Sequence, residues 1–273
     1  QYLQLHGSVL LDSNEEPDGV VLVLSDVTRL KRLENIRKDF VANVSHELKT
    51  PITSILGFVE TLTGGAIKEP ERAERFLGII ADHTRRLNDI VDDLLTLSRL
   101  ESQEQEIARE WVDVSELLNA VLTAVAPQAE RKSVELYQQC DCSADAYVNA
   151  SLIQQAVTNL VDNAVKYSGA GSRVGIEVSH SDGELRISVR DTGPGIPKRD
   201  LNRVFERFYR VDRARSRALG GTGLGLSIVK HIAQSHGGTV EAQSELGVGS
   251  TFSIVLPQQT TAQQGKADSE AGS

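Results

Sequence analysis

Two strand-like apolar runs, YLQLHGSVLL and VVLVLSDVT, flank the polar, turn-rich DSNEEPDG. This pattern predicts a β hairpin within residues 1–28. From Leu30 the pattern changes. RLKRLENIRKDFVANVSHEL is charge-rich and helical and continues to about Leu62, after which Gly64, Gly65 and Pro70 act as breakers. A second helix is predicted from about Glu71 to Glu101, in which Phe76, Ile80, His83, Leu87, Ile90, Leu94 and Leu97 recur at alternating spacings of four and three. That is a heptad seam. Two long helices joined by a short loop form an antiparallel hairpin whose core is too small to stand alone. Pairing two hairpins into a dimeric four-helix bundle is the economical solution.

Beyond Trp111 helical and strand patterns alternate. Helices are predicted at SELLNAVLTAVAPQAERK, SLIQQAVTNLVDNAVKY and LSIVKHIAQSHG, and a shorter one at RDLNRVFERFYR. Strands are predicted near VELYQQ and at RVGIEVSH, ELRISVRD, TVEAQSE and STFSIVL. Helices packed on one sheet make an α/β sandwich ending near Pro257. From Gln258 the run QQTTAQQGKADSEAGS has no apolar periodicity and is expected to be disordered.

Composition narrows the class. At 273 residues, with 40% hydrophobic and 25% charged side chains, the chain is long enough for two domains and ordinary for a globular protein. The net charge of -9 argues against a sequence-independent grip on nucleic acid, which depends on Lys and Arg neutralising phosphates. Cys140 and Cys142 are too few and too close for a zinc site or disulfide framework, so free thiols are expected. No window approaches the roughly 20 apolar residues of a membrane span. The first residue is not Met and lies in a strand-like run, so the chain is expected to be a cytoplasmic piece of a longer protein.

The stretch VANVSHELKTPITSIL carries the first candidate chemistry. If Phe40, Val44, Leu48, Ile55, Val59 and Leu62 form the buried stripe, His46 lies about 200° of rotation from Val44 and from Leu48 and faces outward. Glu47 is its neighbour around the helix, and Thr50, one turn later, shares its face. Pro51 has no N–H for the Glu47 carbonyl, so a kink is expected just past the histidine. A histidine nitrogen with a free lone pair is a nucleophile, and a carboxylate taking the proton from the other ring nitrogen would be its general base. An exposed His and Glu without a role is the alternative. A zinc site of the HExxH type is the weaker reading, because Thr50 stands where the second His would be.

Three further segments suit parts of a magnesium nucleotide. Asn159 and Asn163 lie four apart on one helix face and could offer oxygens to Mg²⁺, with Lys166 and Tyr167 at the helix end. Asp191 in DTGPGIP follows an apolar strand, and Gly193 and Gly195 allow close backbone approach, which would let the carboxylate accept from the exocyclic amine of a base. GGTGLGLSIVK places Gly220, Gly221, Gly223 and Gly225 before a helix, where backbone N–H groups suit phosphate. Each has an ordinary alternative: an amphipathic helix, a simple turn and a glycine-rich loop.

Together and in this order, HELKT, NLVDNAVKY, DTGPGIP, FERFYRVD and GTGLGLSIVK resemble the H, N, G1, F and G2 boxes of bacterial two-component sensor histidine kinases, over about residues 30–257. RLENIRKDFVANVSHELKTPITSILGFVETL most resembles the PhoR-type members. The resemblance implies a partial PAS-like hairpin at 1–28 and an all-α dimerisation and phosphotransfer hairpin at 29–108. A Bergerat-type (GHKL) catalytic ATP-binding domain at 109–257 and a tail at 258–273 would follow. His46 would be the phosphoacceptor, Glu47 its base, and Thr50 would help place the water that hydrolyses the phosphorylated partner. Asn163 would bind Mg²⁺ with support from Asn159. Lys166, Tyr167 and Arg210 would contact ATP, and Asp191 would read adenine. Gly193, Gly195, Gly221, Gly223, Leu224 and Gly225 would shape the nucleotide pocket and its lid, about residues 206–222. The implied partners are a second copy of the chain and a response regulator receiver domain, with a membrane reached only through upstream segments. A chain acting mainly as a regulator phosphatase, and an ATP-gated scaffold without kinase activity, are the rival readings.

Overall fold

The computed structural model describes residues 1–11, 17–102, 107–140, 145–181, 183–212 and 221–258. Expectations for the tail beyond Gln258, for Cys142 and for residues 213–220 of the lid lie outside them. The chain divides into two compact units, Gln1–Ala73 and Glu74–Ser273.

In the first unit, β1 (Leu3–Leu11) and β2 (Pro17–Asp26) pair antiparallel, with Leu5 opposite Leu24 and Val9 opposite Val20. Both faces of this ribbon carry exposed apolar side chains, Leu5, Val20, Leu22 and Leu24 on one and Leu10, Val21 and Val23 on the other. Asp26 turns the chain into the helix that follows. Its carboxylate accepts from the Thr28 N–H at 2.8 Å, and the Thr28 hydroxyl accepts from the Tyr2 N–H at 2.8 Å. Helix α1 (Thr28–Thr63) then runs without interruption through Pro51, which is buried, to a 3-10 turn at Ala66–Lys68. Pro51 has no N–H to offer along the helix, but the helix does not end there.

The second unit begins within α2 (Pro70–Ser102). Of the heptad residues, Ile90 and Leu97 are buried, whereas Leu77, Val91 and Leu95 lie off the seam and are exposed. Strand β3 (Glu110–Asp113) leads into α3 (Val114–Lys132), capped by the Asp113 carboxylate, which accepts from the N–H groups of Ser115 and Glu116. Strands β4 (Glu135–Cys140) and β5 (Asp145–Val148) precede α4 (Ala150–Tyr167), capped by Asn149. Then follow β6 (Arg173–Ser181), β7 (Glu184–Asp191), the single turn α5 (Lys198–Leu201), α6 (Gly225–Ser235), β8 (Thr239–Glu245) and β9 (Gly249–Pro257).

The main sheet has the order β4-β6-β7-β9-β8, with β4 and β6 parallel and the remaining pairs antiparallel. A separate two-stranded ladder joins β3 to β5. Alternation sorts the residues of the main sheet by face. Ile176, Val189, Phe252 and Ala242 fall in register on one face, as do Val178, Ile187, Ile254 and, beside it, Val240. This face meets α4, α3 and α6, whose Leu118, Val121, Ile153, Leu160, Val161, Ile228 and Ile232 complete a continuous core. On the opposite face Arg186 pairs with Glu241 at 2.7 Å.

Two expectations need correction. The short helix expected across residues 199–210 is a single turn ending at Leu201, followed by turns. Phe208 there takes a left-handed conformation, φ 59°, which a continuing helix does not contain. The strands β3 and β5 were not expected, since four residues each give alternation too little length to register.

Candidate active site

The alternation of β7 leads directly to the site. Leu185, Ile187 and Val189 point into the core, so Asp191, two residues on, faces the same side at the strand end. A carboxylate thus occupies a position of core character and is 7% exposed. Its Oδ1 accepts from the Gly193 N–H at 2.8 Å. Burial pushes its pKa up, while backbone hydrogen bonds from Gly193 and Ser250 oppose the rise. Asp191 lines a cavity of about 730 Å³, a size that suits a nucleotide-sized ligand.

Besides Asp191, the cavity is lined by Asn159, Asn163, Lys166 and Tyr167 of α4 and by Gly195, Arg210, Gly221, Gly223 and Gly225. Ile196, Val204, Leu246 and Phe252 supply apolar wall. The α4 residues recur at spacings of four, three and one, which places them on a helix face adjoining the buried positions Leu160 and Ala164, the latter also on the cavity wall. Lys166 Nζ is 2.6 Å from Asp162 Oδ2 one turn earlier. The Asn159 Nδ2 donates weakly to the Gly225 carbonyl at 3.5 Å, linking α4 to the start of α6. Arg210 closes the other end of the glycine-rich segment, donating to the carbonyls of Gly221 at 2.6 Å and Thr222 at 2.9 Å.

Two glycines are required by geometry. At Gly195, φ is 71° and an added Cβ would stand 2.1 Å from the Glu245 carbonyl oxygen. At Gly223, φ is 77° and a Cβ would meet the Phe208 backbone at 3.0 Å. Both permit backbone to approach backbone beside the cavity. Gly193 lies beside the cavity rather than on its lining, and Leu224 is fully buried in the core.

In the other unit, His46 lies exposed on α1 with Glu47 half-buried beside it. Thr50 is exposed, and its hydroxyl donates to the His46 carbonyl at 3.1 Å.

Residues 36–103 match the His Kinase A (phospho-acceptor) domain, and residues 148–260 match the histidine kinase-, DNA gyrase B- and HSP90-like ATPase family. The chain belongs to the bacterial two-component sensor histidine kinases. It is 38% identical to the sensor histidine kinase WalK of Bacillus subtilis (strain 168) over 93% of its own length and 42% of that protein's. It therefore spans less than half the length of the curated relatives it matches. Full-length ShkA in complex with AMPPNP shares 30% identity with a TM-score of 0.61, over 81% of this chain and 46% of that one. The kinase ThkA in complex with the response regulator protein TrrA has the same fold, with a TM-score of 0.66 at 24% identity over 95% of this chain and 76% of that one.

The sequence reading missed one wall of the site. Asp89, Asp92 and Asp93 of α2 also line the cavity, and Asp93 Oδ2 accepts from the Thr222 hydroxyl at 2.8 Å. Their signal was present as three acids off the heptad seam. Nothing local joins them to a glycine-rich segment more than a hundred residues later.

Proposed function

We propose that this chain is the kinase core of a two-component sensor. ATP bound in the cavity gives its γ-phosphoryl group to His46, and the phosphoryl group then passes to an aspartate of a response regulator receiver domain. The observation that carries this reading is the buried Asp191 carboxylate facing a nucleotide-sized cavity, in a chain that also offers an exposed His46 within its phospho-acceptor region. The AMPPNP complex of ShkA and the TrrA complex of ThkA support the nucleotide and the partner respectively.

The residues divide the work. Asp191 accepts from the adenine amine, a contact made selective by the cost of leaving a buried acceptor unpaired. Gly195 and Gly223 let the chain close around the nucleotide. Lys166 and Arg210 stand where cationic groups would meet phosphate, and Tyr167 lines the same cavity. Asn163, supported by Asn159, fits Mg²⁺ because both amides offer the hard oxygen ligands it prefers on a cavity wall that also bears a lysine. When bound, Mg²⁺ neutralises charge on the phosphates.

In the transfer, one ring nitrogen of His46 bonds to the γ-phosphorus as the bond from phosphorus to the bridging oxygen breaks, and ADP leaves with that electron pair. Glu47 takes the proton of the other ring nitrogen, keeping the attacking lone pair available.

The same reading divides the chain into a PAS-like remnant at 1–28, a phosphotransfer hairpin at 29–108, an ATP-binding domain at 109–257 and a tail. Exposed apolar residues on both long helices, among them Leu33, Ile52 and Leu56 on α1 and Leu77, Val91 and Leu95 on α2, support pairing with a second copy. Among the described residues no helix is long and apolar enough to cross a membrane. Likeness to sensor kinases supports a cytoplasmic place for this core, with any anchor in other segments of the protein. The test is transfer of labelled γ-phosphate from Mg-ATP to the wild type and to His46→Gln. Acid-labile label confined to the wild type is expected, and equal labelling of both would refute the site.

A further inference from the structure

The second half of α2 is seated on the ATPase domain by contacts of every kind. Leu97 is 2% exposed within the domain core, and Leu94 and Leu100 pack beside it. Gln155 of α4 donates to the Thr96 hydroxyl at 3.3 Å, and Glu101 pairs with Arg207 and lies 3.8 Å from His231. Between these contacts Asp93 accepts from Thr222, whose hydroxyl in turn accepts from the Leu224 N–H at 3.2 Å. A single hydroxyl therefore ties α2 to the glycine-rich segment at the start of α6.

This seating places three carboxylates on the wall of the cavity that holds Asn163, Lys166 and Asp191. Their charge is only partly relieved. Lys166, the cation that acts on Asp89 and Asp93, is shared with Asp162 at 2.6 Å. Burial, with help from Asp89 and Asp92, pushes the Asp93 carboxyl up to about 6 against its bond from Thr222 and the charge of Lys166. Among the described residues no group of three or more His, Cys, Asp or Glu is arranged to hold a metal ion, so these acids do not form a ready cation site. A polyphosphate entering the cavity would meet like charge at close range in surroundings that screen it weakly.

We propose that α2 is a removable acidic wall of the nucleotide cavity: when seated, Asp89, Asp92 and Asp93 oppose the nucleotide phosphates, and ATP binding unseats α2 from the ATPase domain. The proposal rests on the reading of the cavity as an ATP site. By linkage, the factor by which seating weakens ATP is the factor by which ATP weakens seating. The contact is thus autoinhibitory, and an input that pulls on α2 changes nucleotide affinity without touching the nucleotide.

The test compares the affinities of ATP, ADP and adenosine, each with and without Mg²⁺, for the wild type, Asp93→Asn and Glu101→Gln. Asp93→Asn should bind ATP about fivefold more tightly at low salt, ADP less so and adenosine unchanged, with the gain shrinking as salt rises. Glu101 does not line the cavity, so Glu101→Gln should tighten ATP by releasing α2 alone. Unchanged affinity in Asp93→Asn, or an equal gain for adenosine, would overturn the opposing role. Weakening seen with Mg²⁺ alone would overturn it by making Asp93 a cation ligand. A gain in Asp93→Asn without one in Glu101→Gln would overturn the unseating. Wild type that binds adenosine but not ATP in any variant, or no nucleotide at all, would overturn the ATP reading and the wall together.

Discussion

The backbone N–H of Asn149 donates to Nε2 of His236 at 3.0 Å, so a side chain at the end of α6 fixes the start of α4. The other ring nitrogen, Nδ1, lies 2.8 Å from the Ile232 carbonyl. Nε2 accepts, so Nδ1 carries the proton and donates, and the imidazole is neutral. Asn149 also caps α4, the helix that bears Asn159 and Asn163.

This pair predicts how stability depends on pH. Burial, aided by Arg109, holds the His236 pKa below its ordinary 6.5, against the hydrogen bond to Ile232. The unfolded chain therefore binds this proton more readily than the folded one. The contribution of His236 is complete above about pH 6.5 and is lost as pH falls through that value toward the folded pKa. Urea unfolding from pH 8 to pH 5.5 should show a falling midpoint. His236→Gln should lose about 1–3 kcal/mol at pH 8 and flatten the profile. An unchanged slope would remove His236 as its source.

Two glycines with similar backbone angles separate strain from collision. Gly171 has φ 79° and open space where a Cβ would stand, whereas Gly195 has φ 71° and a carbonyl oxygen there. Gly171→Ala should cost about 1 kcal/mol, from conformation alone. Gly195→Ala should cost at least twice that and deform the loop beside Asp191. Equal unfolding midpoints for the two variants would contradict the close approach at Gly195.

Asp191→Asn keeps the size of the side chain but replaces one acceptor oxygen with a donor. ATP affinity should fall about thirtyfold, the equivalent of roughly 2 kcal/mol for a lost charge-assisted hydrogen bond. Titration with a fluorescent ATP analogue measures this, and unchanged affinity would remove Asp191 from the adenine site.

How far these residues could be read beforehand depended on how local their signals are. Asp191 was legible because the period of β7 assigns its face as surely as it assigns Val189. The α4 residues were legible because one helix carries them all. The contact between Asp93 and Thr222 was not, since each residue sits in an ordinary local context and tertiary packing alone brings them together. The helix expected across residues 199–210 failed for a related reason. Its amphipathic pattern is satisfied by Val204, Phe205 and Tyr209 packing as turns, with the Tyr209 hydroxyl donating to Asp200 at 2.7 Å.

On the proposed function, Thr50 would separate the two activities of a sensor kinase. It stands one turn from His46 and is exposed, so it can hold a water without taking part in phosphoryl transfer from ATP. Thr50→Ala should lower dephosphorylation of the phosphorylated regulator about tenfold or more while sparing autophosphorylation. Equal loss of both activities would refute that division.

The most direct test of the central claim asks whether the cavity supplies His46. Wild type, His46→Gln and Asp191→Asn are each assayed for ATP affinity and, after incubation with Mg-ATP, for phosphate on the peptide that contains residue 46. With ATP held near the wild-type Kd, the account predicts phosphate on the wild-type peptide and none on that of His46→Gln, which still binds ATP as tightly as the wild type, while in Asp191→Asn affinity and phosphate fall together, about thirtyfold and in proportion. Phosphate at another residue, or on the His46 peptide of an Asp191→Asn variant that no longer binds ATP, would contradict it.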